Sequence, residues 1–171
     1  LYRIFFGPKG CMLTAPSNKA ARLIKGKTVH TAAKMSGGSL SMHTLRTNTK
    51  TLRGLTSVFS PAGALCLDEF SQTSGPLLHA LALRGTYGRS ATYQLECADY
   101  ASSTQTFGAM PVVSMFGDEL QLPPVPEESS VLAPTHSSKE HAAGVQIFSQ
   151  QDYVYRLTTA MRFTDEVLVG I

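Results

Sequence analysis

Three short apolar runs, at 10–15, 64–67 and 111–116, each stop abruptly at small or acidic residues, and that punctuation restricts the fold more than any other feature of the chain. Runs of four to six apolar residues are too short for core helices and suit strands covered on both faces. Strands of that kind belong to parallel sheets, whose connections pack helices against them. The pattern therefore predicts an open α/β sheet with its strand ends delivered to one edge. At 171 residues the chain can bury one core of ordinary size and is too short for two full domains.

The segments between the runs are uneven. Ser17 is placed to cap a helix reaching about Ile24, with Ala20, Ala21, Leu23 and Ile24 as its packing face and Gly26 as its stop. A second helix is expected over 74–83. Residues 35–56, 87–106 and 127–143 are rich in Ser, Thr, Gly, Pro or His and read as irregular excursions from the sheet. Lys34, just before the first of these, and Arg46, Lys50 and Arg53 within it either approach phosphates or form a solvated positive face. His43, His79, His136 and His141 lack ligand-like spacing and read as surface residues.

Composition narrows the function classes. A net charge of +3 and pI near 8.8 permit a polyanionic partner without requiring one. The charged fraction of 16% is below the roughly 25% usual for soluble domains, consistent with a surface that meets a partner. No apolar stretch approaches the roughly 18 residues of a membrane span and no cleavable signal opens the chain, so an intracellular, membrane-free protein is expected. Cys11, Cys66 and Cys97 are widely spaced and odd in number, which argues against a disulfide framework or a zinc site. Cys11 and Cys66 lie in apolar runs and read as small buried side chains.

Two strings carry chemistry. Ala64-Leu65-Cys66-Leu67-Asp68-Glu69 is an apolar strand ending in paired carboxylates, the form of a Walker B element. Val112 to Met115, then Phe116-Gly117-Asp118-Glu119-Leu120-Gln121-Leu122-Pro123-Pro124-Val125, is a strand with a glycine exit and a proline-stiffened segment holding Gln121. A strand ending in solvated acids is common; the two strings in this order are not.

Together with Thr14-Ala15-Pro16-Ser17-Asn18-Lys19-Ala20-Ala21, these strings resemble the Pif-type DNA helicases, superfamily-one motors related to RecD, over about 10–165. The resemblance implies a RecA-like P-loop NTPase fold, with a partial first motor domain over 1–150 and the start of a second over 151–171. It implies ATP and Mg²⁺ as cofactors, with Asp68 serving the metal, Glu69 activating water, and Gly117, Asp118 and Gln121 at the nucleotide, Gln121 coupling the γ-phosphate to movement. Leu157-Thr158-Thr159-Ala160-Met161-Arg162 is similar to the family's motif IV, making Arg162 an arginine finger; Phe163 stands where Gln is usual, and a surface arginine is the alternative. Thr14, Pro16, Ser17 and Asn18 resemble the motif that grips single-stranded DNA, and Thr28-Val29-His30-Thr31 the stretch after it, with His30 either at the DNA backbone or a capped, half-buried histidine. Single-stranded and duplex-junction DNA are the implied partners, 5′-to-3′ unwinding the implied activity, and nucleus or mitochondrion the implied compartment in a eukaryote. Roles in DNA repair, recombination and telomere maintenance come with the same resemblance.

One element is missing. No GxxxxGK[ST] string occurs, and Gly7-Pro8-Lys9-Gly10 cannot replace it, because a proline removes an amide donor from any phosphate nest. In the family that loop lies shortly before the Thr14 segment, so the chain reads as beginning past it and as a poor ATPase by itself. A non-catalytic nucleic-acid-binding remnant, or another ATPase sharing only the Asp-Glu pair, remain as other readings.

Overall fold

The computed structural model describes residues 2–35, 49–93, 103–133 and 138–158. Four parallel strands form one sheet in the order β2-β1-β3-β4. They are β1 (Cys11–Ala15), β2 (Lys27–Thr28), β3 (Ala64–Leu67) and β4 (Val112–Met115). Three of them coincide with the apolar runs. The fourth, β2, spans two residues and leaves no periodicity to read.

Alternation along the strands divides the helices between two faces. Met12, Leu65, Leu67, Val113 and Met115 share one face through the register Met12↔Leu65 and Leu65↔Val113, and they pack into the main core. That core is closed by α3 (Val29–Ala32), α4 (Thr49–Phe59), α5 (Gly75–Tyr93) and α6 (Lys139–Ser149). On the other face α1 (Tyr2–Gly10) reaches β4 through the Tyr2 hydroxyl, 2.6 Å from Ser114 Oγ, and α2 (Asn18–Leu23) packs Ala20 and Ala21 on Ala15. The result is the expected α/β fold of RecA-like type.

Ser17 caps α2 as anticipated, its hydroxyl accepting from the Ala20 amide at 3.2 Å. Leu23 does not join the packing face; it is 78% exposed, because the short helix turns it away from β1.

Larger corrections fall on the segments read as irregular. Residues 49–59 form α4, whose Leu52, Leu55 and Phe59 recur at helical spacing against the core. The helix read over 74–83 runs on to Tyr93. Gly85 and Gly88, which look like breakers, are instead where neighbours come closest: a Cβ on Gly85 would meet the Phe107 backbone at 3.2 Å, and one on Gly88 the Leu55 carbonyl oxygen at 2.8 Å. The segment 127–143 likewise ends in the first turns of α6, capped by Ser138.

His141 is fully buried rather than on the surface, its Nε2 2.7 Å from the Ser130 carbonyl oxygen. The helix points it at α5, where a Cβ on Gly75 would meet the imidazole ring. Among the remaining histidines, His79 is half-buried on α5, while His43 and His136 lie outside the described residues, as do Arg46 and Cys97. No helix of the described residues is long and apolar enough to cross a membrane.

Candidate functional site

The carboxyl ends of the strands gather the residues singled out from sequence. Asp68 follows β3 directly, and its amide donates to the Thr14 carbonyl at 2.8 Å, which ties the ends of β3 and β1 together. The Phe116 amide donates to the Leu67 carbonyl at 2.8 Å, and the Phe70 amide to the Phe116 carbonyl at 2.9 Å, which ties β3 to β4. Three strand ends are thus stitched by backbone bonds, and side chains there inherit the rigidity of the sheet.

Glu69 has left-handed backbone angles, φ 54° and ψ 45°, an uncommon conformation for a residue with a Cβ. That twist turns the chain into the 3₁₀ turn Phe70–Gln72 and separates the two carboxylates in direction. Both are half-buried, and Glu69 Oε2 accepts from the Gln72 side-chain Nε2 at 3.5 Å. Strained backbone of this kind is often retained where a functional group must be aimed.

Gly117 serves by proximity: a Cβ there would lie 2.7 Å from Phe70 Cδ1, so only glycine lets the β4 exit run against the β3 exit. Phe70 is held in turn by stacking on Phe148 of α6, with ring centroids 5.1 Å apart. Asp118 closes its own loop, its Oδ1 accepting the Leu120 amide at 2.9 Å and its carbonyl the Gln121 amide at 3.2 Å. Gln121 is exposed beyond that loop, with Leu120, Leu122 and Val125 also exposed around it.

The register Ala15↔Thr28 brings the exits of β1 and β2 side by side, so the 16–18 and 29–31 segments leave the sheet as neighbours. Asn18 and His30 are exposed there, and Pro16 and Ser17 half-exposed. Thr14 departs from expectation: it is 0% exposed and its hydroxyl donates to the Cys66 carbonyl at 2.9 Å. Its side chain points into the main core and is spent on β3, with nothing left for a phosphate. Thr28 caps α3 through the Thr31 amide at 3.2 Å, and buried Arg84 on α5 donates to the carbonyls of Ala33 and Lys34 at 3.1 and 3.2 Å. Arg84 therefore positions the element that carries His30. Nothing in the sequence signals this, since an arginine inside a helix ordinarily reads as surface.

Residues 151–158 carry no helix or strand; Arg156 sits 3.7 Å from Glu119, both exposed. Arg162 and Phe163 lie outside the described residues.

Cys66 lies behind this edge, on the α1 face. Burial first, then the negative charges of Asp68 and Cys11, push its thiol up to about 11; burial also raises Cys11. With Cys97 replaced by Ser, iodoacetamide should label Cys66 of the folded chain at pH 8 roughly a hundredfold more slowly than in urea, because thiolate is the reacting species. Equal rates in the two states, followed by peptide mass, contradict this placement.

Mg²⁺ arriving with ATP would neutralise phosphate charge at such an edge. Asp68 and Glu69 can receive a hydrated ion already bound to phosphates, but they do not enclose one. Among the described residues no group of three or more His, Cys, Asp or Glu surrounds a metal-sized space, and the chain has no Gly-rich phosphate cradle.

An all-parallel sheet whose carboxyl edge collects a strand-terminal Asp-Glu pair, a Gly-Asp-x-x-Gln exit and a capped helix after the first strand defines a RecA-like fold. Comparison with solved structures takes this further. The chain is similar to the Pif1 helicase from Candida albicans, at 27% identity and a TM-score of 0.53, over 72% of this chain and 25% of that one. It is also similar to Bacteroides Pif1 bound to single-stranded DNA, at 25% identity and a TM-score of 0.50, over 80% and 29% of the two chains. No protein-family model matches, and neither does any curated protein. Over most of its own length the chain is similar to Pif1 helicases, and it spans about a quarter of the length of the helicases it matches.

Proposed function

We propose that the chain is the part of an ATP-driven, 5′-to-3′ DNA helicase that grips single-stranded DNA and couples that grip to nucleotide hydrolysis. One observation carries the reading: backbone bonds join the end of β1, which leads into the DNA-type segment, to the ends of β3 and β4, which carry Asp68, Glu69 and Gln121. A displacement at one strand end is thereby felt at the next, as a motor requires. In the whole helicase Asp68 would serve the hydrated metal, Glu69 would polarise water, and Gln121 and Arg162 would sense the γ-phosphate. The solved Bacteroides relative holds single-stranded DNA, which supports the same ligand here.

The grip needs no base reading. Asn18 and His30 present donors at the exits of two adjacent strands, suited to backbone phosphates of any sequence. Binding of a fluorescein-labelled oligothymidylate, followed by anisotropy across a salt series, should weaken steeply with salt. Asn18→Ala and His30→Ala should each lower affinity by about fivefold, the worth of one hydrogen bond of roughly 1 kcal/mol. No binding at low salt, or wild-type affinity in both variants, would remove the reading. The non-catalytic remnant makes the same DNA prediction and differs in lacking any role for Asp68.

A further inference from the structure

β2 pairs only with Thr14 and Ala15, so the outer edge of β1 along Cys11, Met12 and Leu13 has no strand beside it among the described residues. A cavity of about 490 Å³ occupies that place, within the roughly 300–1,000 Å³ of small-ligand sites. Its lining includes Arg3 and Lys9 from α1, Lys25 and Lys27 around the α2–β2 turn, and Lys34 after α3, with no carboxylate.

The turn is held tightly. A Cβ on Gly26 would collide with the Leu13 carbonyl, so the chain passes directly against β1 and sets Lys25 and Lys27 on either side of the contact. Arg3 closes the arrangement by donating to the Lys25 carbonyl at 3.2 Å.

The charge here is not local accident. The first 67 residues hold ten of the fifteen Lys and Arg and none of the twelve Asp and Glu. Five cations around one cavity, with no acid in that part of the chain, create a potential that only an anion relieves. A metal ion is repelled and a neutral ligand gains nothing from it.

We propose that this cavity is a second phosphate-binding site, which takes the sugar-phosphate backbone of a nucleic acid strand away from the strand-end grip. A polymer is favoured over a compact anion because Lys27 and Lys34, which line the cavity, flank in sequence the exposed His30 at the exit of β2, so a strand with regularly spaced charges can continue from the cavity to the carboxyl edge. The inference rests on the nucleic-acid reading above only for its choice of probe.

The test uses the whole chain and the same labelled oligothymidylate. Replacing Lys9, Lys25 and Lys27 together by Gln should lower affinity at least tenfold and flatten the log-log salt slope by about 2, near 0.7 for each phosphate left without its cation; Lys139→Gln on α6 should change neither. An unchanged slope and affinity overturn the proposal. Weaker binding by the lysine variant with wild-type affinity in Asn18→Ala and His30→Ala supports the cavity and rejects the strand-end grip, the reverse pattern does the opposite, and no binding by any form rejects both. ATP or inorganic phosphate displacing the oligonucleotide at equal phosphate concentration would show a small-anion site and overturn the polymer assignment. Lysine acetylation needs no variant: bound oligonucleotide should protect Lys9, Lys25, Lys27 and Lys34 but not Lys139, and uniform labelling overturns the site.

Discussion

Arg89→Met should cost roughly 3–5 kcal/mol of folding stability, the effect of removing one side of a buried charged network. Arg89 is 3% exposed on α5, and its guanidinium donates to Gly108 O at 2.7 Å, Phe59 O at 3.2 Å and Ala62 O. Those carbonyls end α4, lie in the connection into β3 and end the 3₁₀ segment Ser103–Gly108 before β4. Methionine fills most of the volume, so reduced packing is the smaller term. The Phe59 carbonyl keeps the Ala62 amide at 3.1 Å, but the Gly108 and Ala62 carbonyls lose the guanidinium, and a carbonyl left unpaired away from water costs about 1–3 kcal/mol, which dominates. Against a total stability of about 5–15 kcal/mol, the urea midpoint should fall by about 2 M. Lysine should not rescue it, since one ammonium on a flexible stem does not reproduce the fork that reaches three carbonyls. A midpoint within about 0.5 M of wild type would mean that the network does not hold these segments together.

Gly144→Ala is the second large effect, expected at about 3 kcal/mol, the upper end for overpacking. An added Cβ would overlap the Gly75 carbonyl group and Cα, and all of those atoms are backbone. No side chain can swing aside, so α6 must separate from α5. Two interactions would suffer with it, the His141 bond to the Ser130 carbonyl and the Phe148 stack on Phe70. Hydrogen exchange should speed up in α6 first, before the sheet amides. Uniform exchange with unchanged stability would place the two helices farther apart than described.

The strands were legible because a short apolar run that ends in acids fits little besides a buried strand reaching a polar edge. The site edge followed from them: Asp68, Glu69, Gly117 and Gln121 all leave strands whose limits could be read directly. The helices were less legible, for a physical reason visible at Gly85 and Gly88. Glycine in a helix is unfavourable by local propensity, and local reasoning ends the helix there; the gain from two backbones in close contact appears only in three dimensions. Thr14 shows the same limit at one residue, since its hydroxyl is as suited to a phosphate as to the Cys66 carbonyl and only the fold chooses. His141 reads as surface because its carbonyl partner is 11 residues away, and nothing marks Arg84 because its partners are about 50 residues away. The cationic cavity is hidden in a different way: net charge is an average, and +3 conceals a first part of the chain without a single acid.

That uneven charge has a kinetic consequence. Among the described residues, the basic lining of the cavity lies beside β1 and β2 at one side of the sheet, and Asp118 and Glu119 follow β4 at the other, so the order of strands carries part of the charge division from sequence into space and makes this region dipolar. A dipolar body drifting toward a polyanion is turned before it touches, so encounters begin with the basic side forward. Such steering acts on association rather than on residence time. Added salt should therefore slow capture of a strand well before it hastens release.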